Sequence, residues 1–111
     1  MDVRQRSIRN FVAANGKSPF RDWLRQIKDK RAKARILSRI DRLQLGNFGD
    51  CRSVGDGVYE LRVQFGPGFR IYFGLDGPKI VILLCGGDKS TQKRDVAAAH
   101  AYWKESTENG N

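Results

Sequence analysis

Apolar positions along the chain follow two rhythms, and the rhythm changes near its middle. At the start, Val3, Ile8, Phe11 and Val12 are scattered among charges, the pattern of a weak strand at a sheet edge over residues 3–12. Asn15-Gly16-Lys17 reads as a turn. Ser18-Pro19 then opens a helix: Ser18 caps it, and Pro19 fits the first position, where no amide hydrogen is needed. Phe20, Trp23, Leu24 and Ile27 follow at helical spacing on one face. A second helix is expected from Asp29 or Lys30 to Leu45, with Ile36, Leu37, Ile40 and Leu43 as its apolar stripe and Gly46 beyond its end.

After an irregular stretch over residues 46–57, the period falls to two. In residues 58–65, Tyr59, Leu61, Val63 and Phe65 face one way, and Val58, Glu60, Arg62 and Gln64 the other. Gly66-Pro67-Gly68 predicts a hairpin into a strand with Phe69, Ile71, Phe73 and Leu75 on one side and Arg70 and Tyr72 on the other. Asp76-Gly77-Pro78 turns the chain again. Residues 80–85 are apolar on both faces, as in a buried central strand. Gly86-Gly87-Asp88-Lys89-Ser90 reads as a polar loop, and Ser90 or Thr91 as the cap of a last helix with Val96, Ala99, His100 and Trp103 inside. The order β-α-α-β-β-β-α predicts an α+β fold, two N-terminal helices and a C-terminal helix packed on a small antiparallel sheet. One domain over residues 1–104 and a polar tail over 105–111 are expected.

Charge adds a class of partner. Lys and Arg number 21 against 12 Asp and Glu, a net charge of +9. On so small a body this field attracts polyanions, nucleic acid foremost, or an acidic protein partner. Lys33 and Arg35 belong to a run of basic residues along the second helix, either a solvated outer face or a phosphate-facing rim. Cys51 and Cys85 are too few and too distant for a zinc site, and His100, the single histidine, reads as a packed core residue. No metal or cofactor is expected. No apolar run suits a bilayer or a signal peptide, so no membrane partner and a cytoplasmic location are expected.

The hairpin register concentrates the chemistry. With a three-residue loop, Gln64 faces Arg70 and Arg62 faces Tyr72, and Glu60, Arg62, Gln64, Arg70 and Tyr72 share the side away from the core. Lys89 and Gln92 lie near its edge. Such a set suits RNA cleavage by the RNA's own 2′-hydroxyl. That reaction needs a base, cations for a crowded phosphorane and an acid for the departing oxygen. Glu60 is the candidate base, and Arg62 and Arg70 are phosphate clamps. Tyr72 would stack on a base or move a proton, and Lys89 would neutralise charge or donate a proton. The competing reading is the ordinary polar face of a half-exposed sheet.

Val58-Tyr59-Glu60-Leu61-Arg62, Gly66-Pro67-Gly68-Phe69-Arg70-Ile71-Tyr72-Phe73 and Leu83-Leu84-Cys85-Gly86-Gly87-Asp88-Lys89-Ser90-Thr91-Gln92 resemble the RelE/ParE superfamily of toxins, most of all its addiction-module killer branch, which is similar to HigB. Ser18-Pro19-Phe20-Arg21-Asp22-Trp23-Leu24 fits the same branch, and the likeness runs over residues 20–103. The resemblance implies a type II toxin–antitoxin system with a cognate antitoxin of helix-turn-helix type. It further implies a metal-independent endoribonuclease acting on messenger RNA in the ribosome, or, in ParE-like members, a non-catalytic DNA gyrase poison. A degenerate, antitoxin-bound module is a third possibility. Arg70 matches the arginine of the family's Gly-aromatic-Arg segment, Arg62 and Lys89 match basic active-site positions, and Glu60 matches a variable one. The His or Tyr that many ribonuclease members carry near the C-terminus is replaced here by Gln92, Lys93 and Arg94, which fall in the RNA-binding set.

Overall fold

The computed structural model describes residues 5–108. Its elements are β1 (Ser7–Asn10), α1 (Pro19–Gln26), α2 (Lys30–Gln44), β2 (Cys51–Ser53), β3 (Val58–Val63), β4 (Phe69–Asp76), β5 (Ile80–Asp88), a short 3-10 turn (Lys89–Thr91) and α3 (Gln92–Glu108). The fold is α+β, as expected. Val3 and residues 109–111 lie outside the described residues. Residues 105–108, read from sequence as the start of a polar tail, continue α3.

Helix ends form where their chemistry dictates. Ser18 caps α1 with Pro19 at its first position, and Asp29 accepts hydrogen bonds from the amides of Arg31 and Ala32 at the start of α2. Gly46, at φ +86°, takes the left-handed conformation just past α2 that a side chain resists. Along α2 the buried stripe is Ala32, Ile36, Ile40 and Leu43, and Leu37 points out to solvent.

The sheet runs β1-β5-β4-β3-β2. It is mixed: β1 pairs parallel with β5 at one edge, and the remaining neighbours are antiparallel. β5 has partners on both sides, which matches its doubly apolar sequence, although the middle position belongs to β4. β2 arises from the stretch that looked irregular, three residues pairing with β3 at the opposite edge.

Both faces of the sheet are covered, and this overturns the expectation of one dry and one wet face. On one side Phe20, Ile36, Ile40 and Leu43 of α1 and α2 pack on Leu61, Val63, Ile71, Phe73, Val81 and Leu83. On the other, Ala99, Val96, Tyr102 and Trp103 of α3 pack on Val58, Tyr72, Ile82, Leu84 and Cys85. His100 is half-buried there, and its Nε2 lies 3.0 Å from the Val54 carbonyl oxygen.

A bulge in β5 decides which residues meet α3. Tyr72 pairs with Cys85 but Phe73 pairs with Leu83, leaving Leu84 as an extra residue. Because side chains alternate, one inserted residue exchanges the faces of everything beyond it. Gly86 therefore lies beneath Trp23 of α1, and Gly87 beneath Thr91 and Asp95 of α3. A Cβ on Gly87 would stand 1.8 Å from Asp95 Oδ2, so the bare backbone lets the first turn of α3 settle onto the sheet. The expected loop at Gly86-Gly87-Asp88 is thus the end of β5, and Asp88 caps the turn into α3 through its hydrogen bond from the Ser90 amide.

Candidate functional site

The β3–β4 ladder ends at Val63 opposite Phe69, so the hairpin loop spans residues 64–68 rather than three residues. Phe65 turns out of the strand: its amide donates to the Val63 carbonyl, and its ring lies under the guanidiniums of Arg31 and Arg35 of α2, 5.9 and 5.1 Å from their carbons. The register consequently differs by two from the expected one. Arg62 faces Arg70 and Glu60 faces Tyr72. A shift of two preserves parity, so all four side chains remain on one face, the α3 face.

Beneath α3, Glu60 is fully buried. Its Oε1 accepts from Arg52 Nε at 2.9 Å, and its Oε2 accepts from the Tyr72 hydroxyl and Gln92 Nε2, each at 2.9 Å. Arg70 Nε stands 3.7 Å from the same Oε2. Burial alone would raise this carboxyl's pKa, but the hydrogen bonds from Gln92, Tyr72 and Arg52 and the charge of Arg52 outweigh it, and the group titrates below its ordinary range. Tyr72 has no exposure. Burial and its bond to Glu60 drive its pKa upward, so the phenol stays neutral. Neither side chain reaches a ligand at the surface. The expected exposure of Glu60 and Tyr72 is corrected by the position of α3, whose Gln92 closes over them.

The cations lie at the open end of this face. Arg70, 11% exposed along its side chain, donates to the Gly68 carbonyl at 2.8 Å. Arg62 is 41% exposed and grips Asp50 Oδ1 through Nε at 3.1 Å and a terminal nitrogen at 2.9 Å, while Gln64 donates to Asp50 Oδ2 at 3.1 Å. Lys89 is exposed on the far side of Arg70; a Cβ on Gly68 would touch both residues, 3.4 Å from Arg70 and 3.7 Å from Lys89. Gln92 joins the site through Glu60, and Lys93 and Arg94 are exposed on the same first turn of α3, Arg94 within 3.6 Å of Asp95. Arg35 sits beside the hairpin tip through Phe65, on the other side of the sheet. Lys33 is not brought there: two helical residues place it about 200° around α2 from Arg35.

Three contributors were not singled out from sequence. Arg52 and Asp50 belong to the stretch that reads as irregular, and Arg39 was one of many basic residues on α2. Arg39 reaches across to donate to the carbonyls of Arg62, Phe48 and Asp50, tying the 46–50 loop to β3. Arg39→Met leaves these acceptors without their charged donor. It is expected to lower stability by about 2 kcal/mol in urea unfolding, a hydrogen-bond network with a charged group being worth on the order of that; an unchanged midpoint would show that water replaces the side chain without loss.

Burial pushes the thiol of Cys51 up to about 11 and that of Cys85 up to about 12, so neither offers a thiolate near neutrality. Among the described residues, no three His, Cys, Asp or Glu side chains gather in a way that would hold a metal ion, and no helix is long and apolar enough to cross a membrane.

Residues 22–101, from α1 to α3, match the family described as "Phage derived protein Gp49-like (DUF891)". The chain belongs to the Gp49-like family. This is a family of RelE-like toxins, and the matched span of the Gp49-like chain holds Glu60, Arg62, Arg70, Tyr72, Lys89 and Gln92. It leaves out β1. A protein of Haemophilus influenzae (strain ATCC 51907 / DSM 11121 / KW20 / Rd), named "Uncharacterized protein", is 55% identical over 80 residues, covering 72% of this Gp49-like chain and 81% of the relative.

Proposed function

We propose that this Gp49-like protein is the toxin of a type II toxin–antitoxin pair. On this reading it is a HigB-like, metal-independent endoribonuclease that cuts messenger RNA on the ribosome in the cytoplasm, restrained by a helix-turn-helix antitoxin. The observation that carries the chemistry is the placement of Arg62 and Arg70 directly opposite each other on one sheet face, with Lys89 beside them at its open end. Cross-strand partners have Cβ atoms about 5 Å apart, close enough for two guanidiniums to share one phosphodiester.

In the proposed reaction the 2′-hydroxyl of a nucleotide gives up its proton to solvent water as its oxygen attacks the adjacent phosphorus, the bond to the 5′-oxygen breaks as that oxygen takes up a proton, and a 2′,3′-cyclic phosphate and a 5′-hydroxyl remain. The phosphorane gains negative charge as it forms. Donors already fixed at that point stabilise it more than they stabilise the substrate. Glu60 and Tyr72 act from below. Both are buried and bonded to each other, so they set the position of Arg70 and move no proton. Lys89, exposed at the rim, is the member of the set placed to pass a proton to the leaving 5′-oxygen.

The end groups test this reading. Purified protein incubated with translating ribosomes is expected to leave fragments ending in a 2′,3′-cyclic phosphate or its 3′-phosphate hydrolysis product, with 5′-hydroxyl partners. Pulse labelling after induction is expected to show protein synthesis stopping before DNA synthesis. The reverse order, with DNA breaks and intact messages, would replace the nuclease with a gyrase poison, and the absence of any growth arrest would leave a degenerate, antitoxin-bound module.

A further inference from the structure

Two arginines opposite one another in a sheet repel unless each has its own counter-charge, and here each has one. The two carboxylates differ in kind. Glu60, under Arg70, is fully buried and held by Arg52, Tyr72 and Gln92, with no route away from the site. Asp50, beside Arg62, is 32% exposed. Its two oxygens take two bonds from the Arg62 guanidinium and one from the Gln64 amide. A forked guanidinium plus an amide is also the donor set that suits the paired nonbridging oxygens of a phosphodiester.

We infer that Asp50 is an internal substitute for a substrate phosphate, occupying the Arg62 and Gln64 donors in the unliganded protein and yielding them to RNA. This rests on the reading that the face binds RNA. Three features support it. The Arg62–Asp50 pair is open to solvent, where an ion pair is weak and exchanges readily. The backbone of Asp50 cannot swing away, because its carbonyl accepts from the Arg62 amide at 2.9 Å and from Arg39. Rotation of the side chain alone therefore uncovers Arg62 while its strand stays in place. An isolated weak anion gains little by displacing a tethered carboxylate, whereas a polyanion also releases counterions as it binds. Asp50 thus sets a preference for nucleic acid over small anions.

The test is the affinity for a single-stranded 2′-O-methyl oligoribonucleotide, which lacks the attacking hydroxyl and cannot be cut. Wild type, Asp50→Asn, Arg62→Ala and the double variant are compared by fluorescence anisotropy over a range of salt. Asn keeps the shape and one acceptor oxygen, and Asp50→Ser provides a second measurement should Asp50→Asn melt early. Asp50→Asn is expected to bind about two- to fivefold more tightly, the factor equivalent to an exposed ion pair. The gain is expected to vanish in the Arg62→Ala background, as a double-mutant cycle isolates the pair.

Weaker binding by both Asp50 variants would make Asp50 a structural support and overturn the inference. So would a gain of equal size without Arg62, which would be the general effect of one less negative charge. If none of the four proteins binds the oligonucleotide at low salt, the inference fails together with the RNA reading. An Arg62-dependent gain in a protein that leaves no cleavage ends on natural RNA would instead uphold the role of Asp50 and remove only the nuclease.

Discussion

Glu60→Leu is expected to destabilise the protein by about 3–5 kcal/mol, the range for removing one partner of a buried, hydrogen-bonded charge network. The variant strands the Tyr72 hydroxyl, which has no exposure, and the Gln92 amide, and leaves the largely buried Arg70 without its nearest carboxylate. Glu60→Gln keeps the shape but not the charge. It is expected to lose less, about 1–3 kcal/mol, since an amide accepts through one oxygen only. Urea unfolding of the two variants separates the terms. Near-equal losses would mean that the charge, absent from both variants, matters and that the hydrogen bonds a glutamine retains do not.

The same network sets two limits of pH. Glu60 in the folded state titrates below its ordinary value of 4.5, so its contribution is present above that pH and disappears as pH falls through the lowered folded value. Tyr72 titrates above its ordinary value of 10.0, so its contribution is complete below pH 10 and declines as pH rises beyond it, when the unfolded chain ionises first. The two limbs share one bond, from the Tyr72 hydroxyl to Glu60 Oε2, which acts beside the burial of Tyr72 and the bonds from Gln92 and Arg52 to Glu60. Tyr72→Phe is therefore expected to flatten the alkaline limb and to shift the acid limb upward. An alkaline limb unchanged by Tyr72→Phe would show that Tyr72 does not set it.

Local rules on the chain predicted the helix starts at Ser18-Pro19 and Asp29 and the stop at Gly46, because capping is settled by neighbours within one turn. The alternation of β3 and β4 correctly grouped Glu60, Arg62, Arg70 and Tyr72, because parity survives a slip of two. Which face that group lies on was not legible. A strand reading Glu-x-Arg looks solvated, and only residues distant in sequence, Arg52 and Gln92, make burial of Glu60 tolerable. The bulge at Leu84 left no local signal, since residues 80–85 are apolar whichever way they point. β2 is too short to show a period, and Asp50, which precedes it, carries no pattern of its own. Arg39 differs from its basic neighbours on α2 only in what lies across from it, the carbonyls of a loop that sequence does not locate.

Arg70→Ala is expected to cut RNA cleavage by about 100- to 1,000-fold, the loss usual for removing one fixed donor from a transition state, and to abolish toxicity on induction. Geometry singles out Arg70 among the three cations. It is the most enclosed, set between Glu60 below and the Gly68 carbonyl beside it, so its guanidinium is held in place before any ligand arrives. Fixed donors need no reorganisation as charge develops, whereas Arg62 must first part from Asp50 and Lys89 is a flexible chain at the rim. Arg70→Lys is expected to recover little, because an ammonium is a point charge and cannot bond at once to the Gly68 carbonyl and to a phosphate with the geometry of a planar fork. The readout must separate chemistry from folding, since Arg70→Ala also takes a counter-charge from Glu60. Retained thermal melting and retained binding of the uncleavable oligonucleotide, with loss confined to the rate of cleavage at saturating RNA, would place Arg70 at the transition state. Full toxicity of a folded Arg70→Ala protein would move the chemistry away from this face.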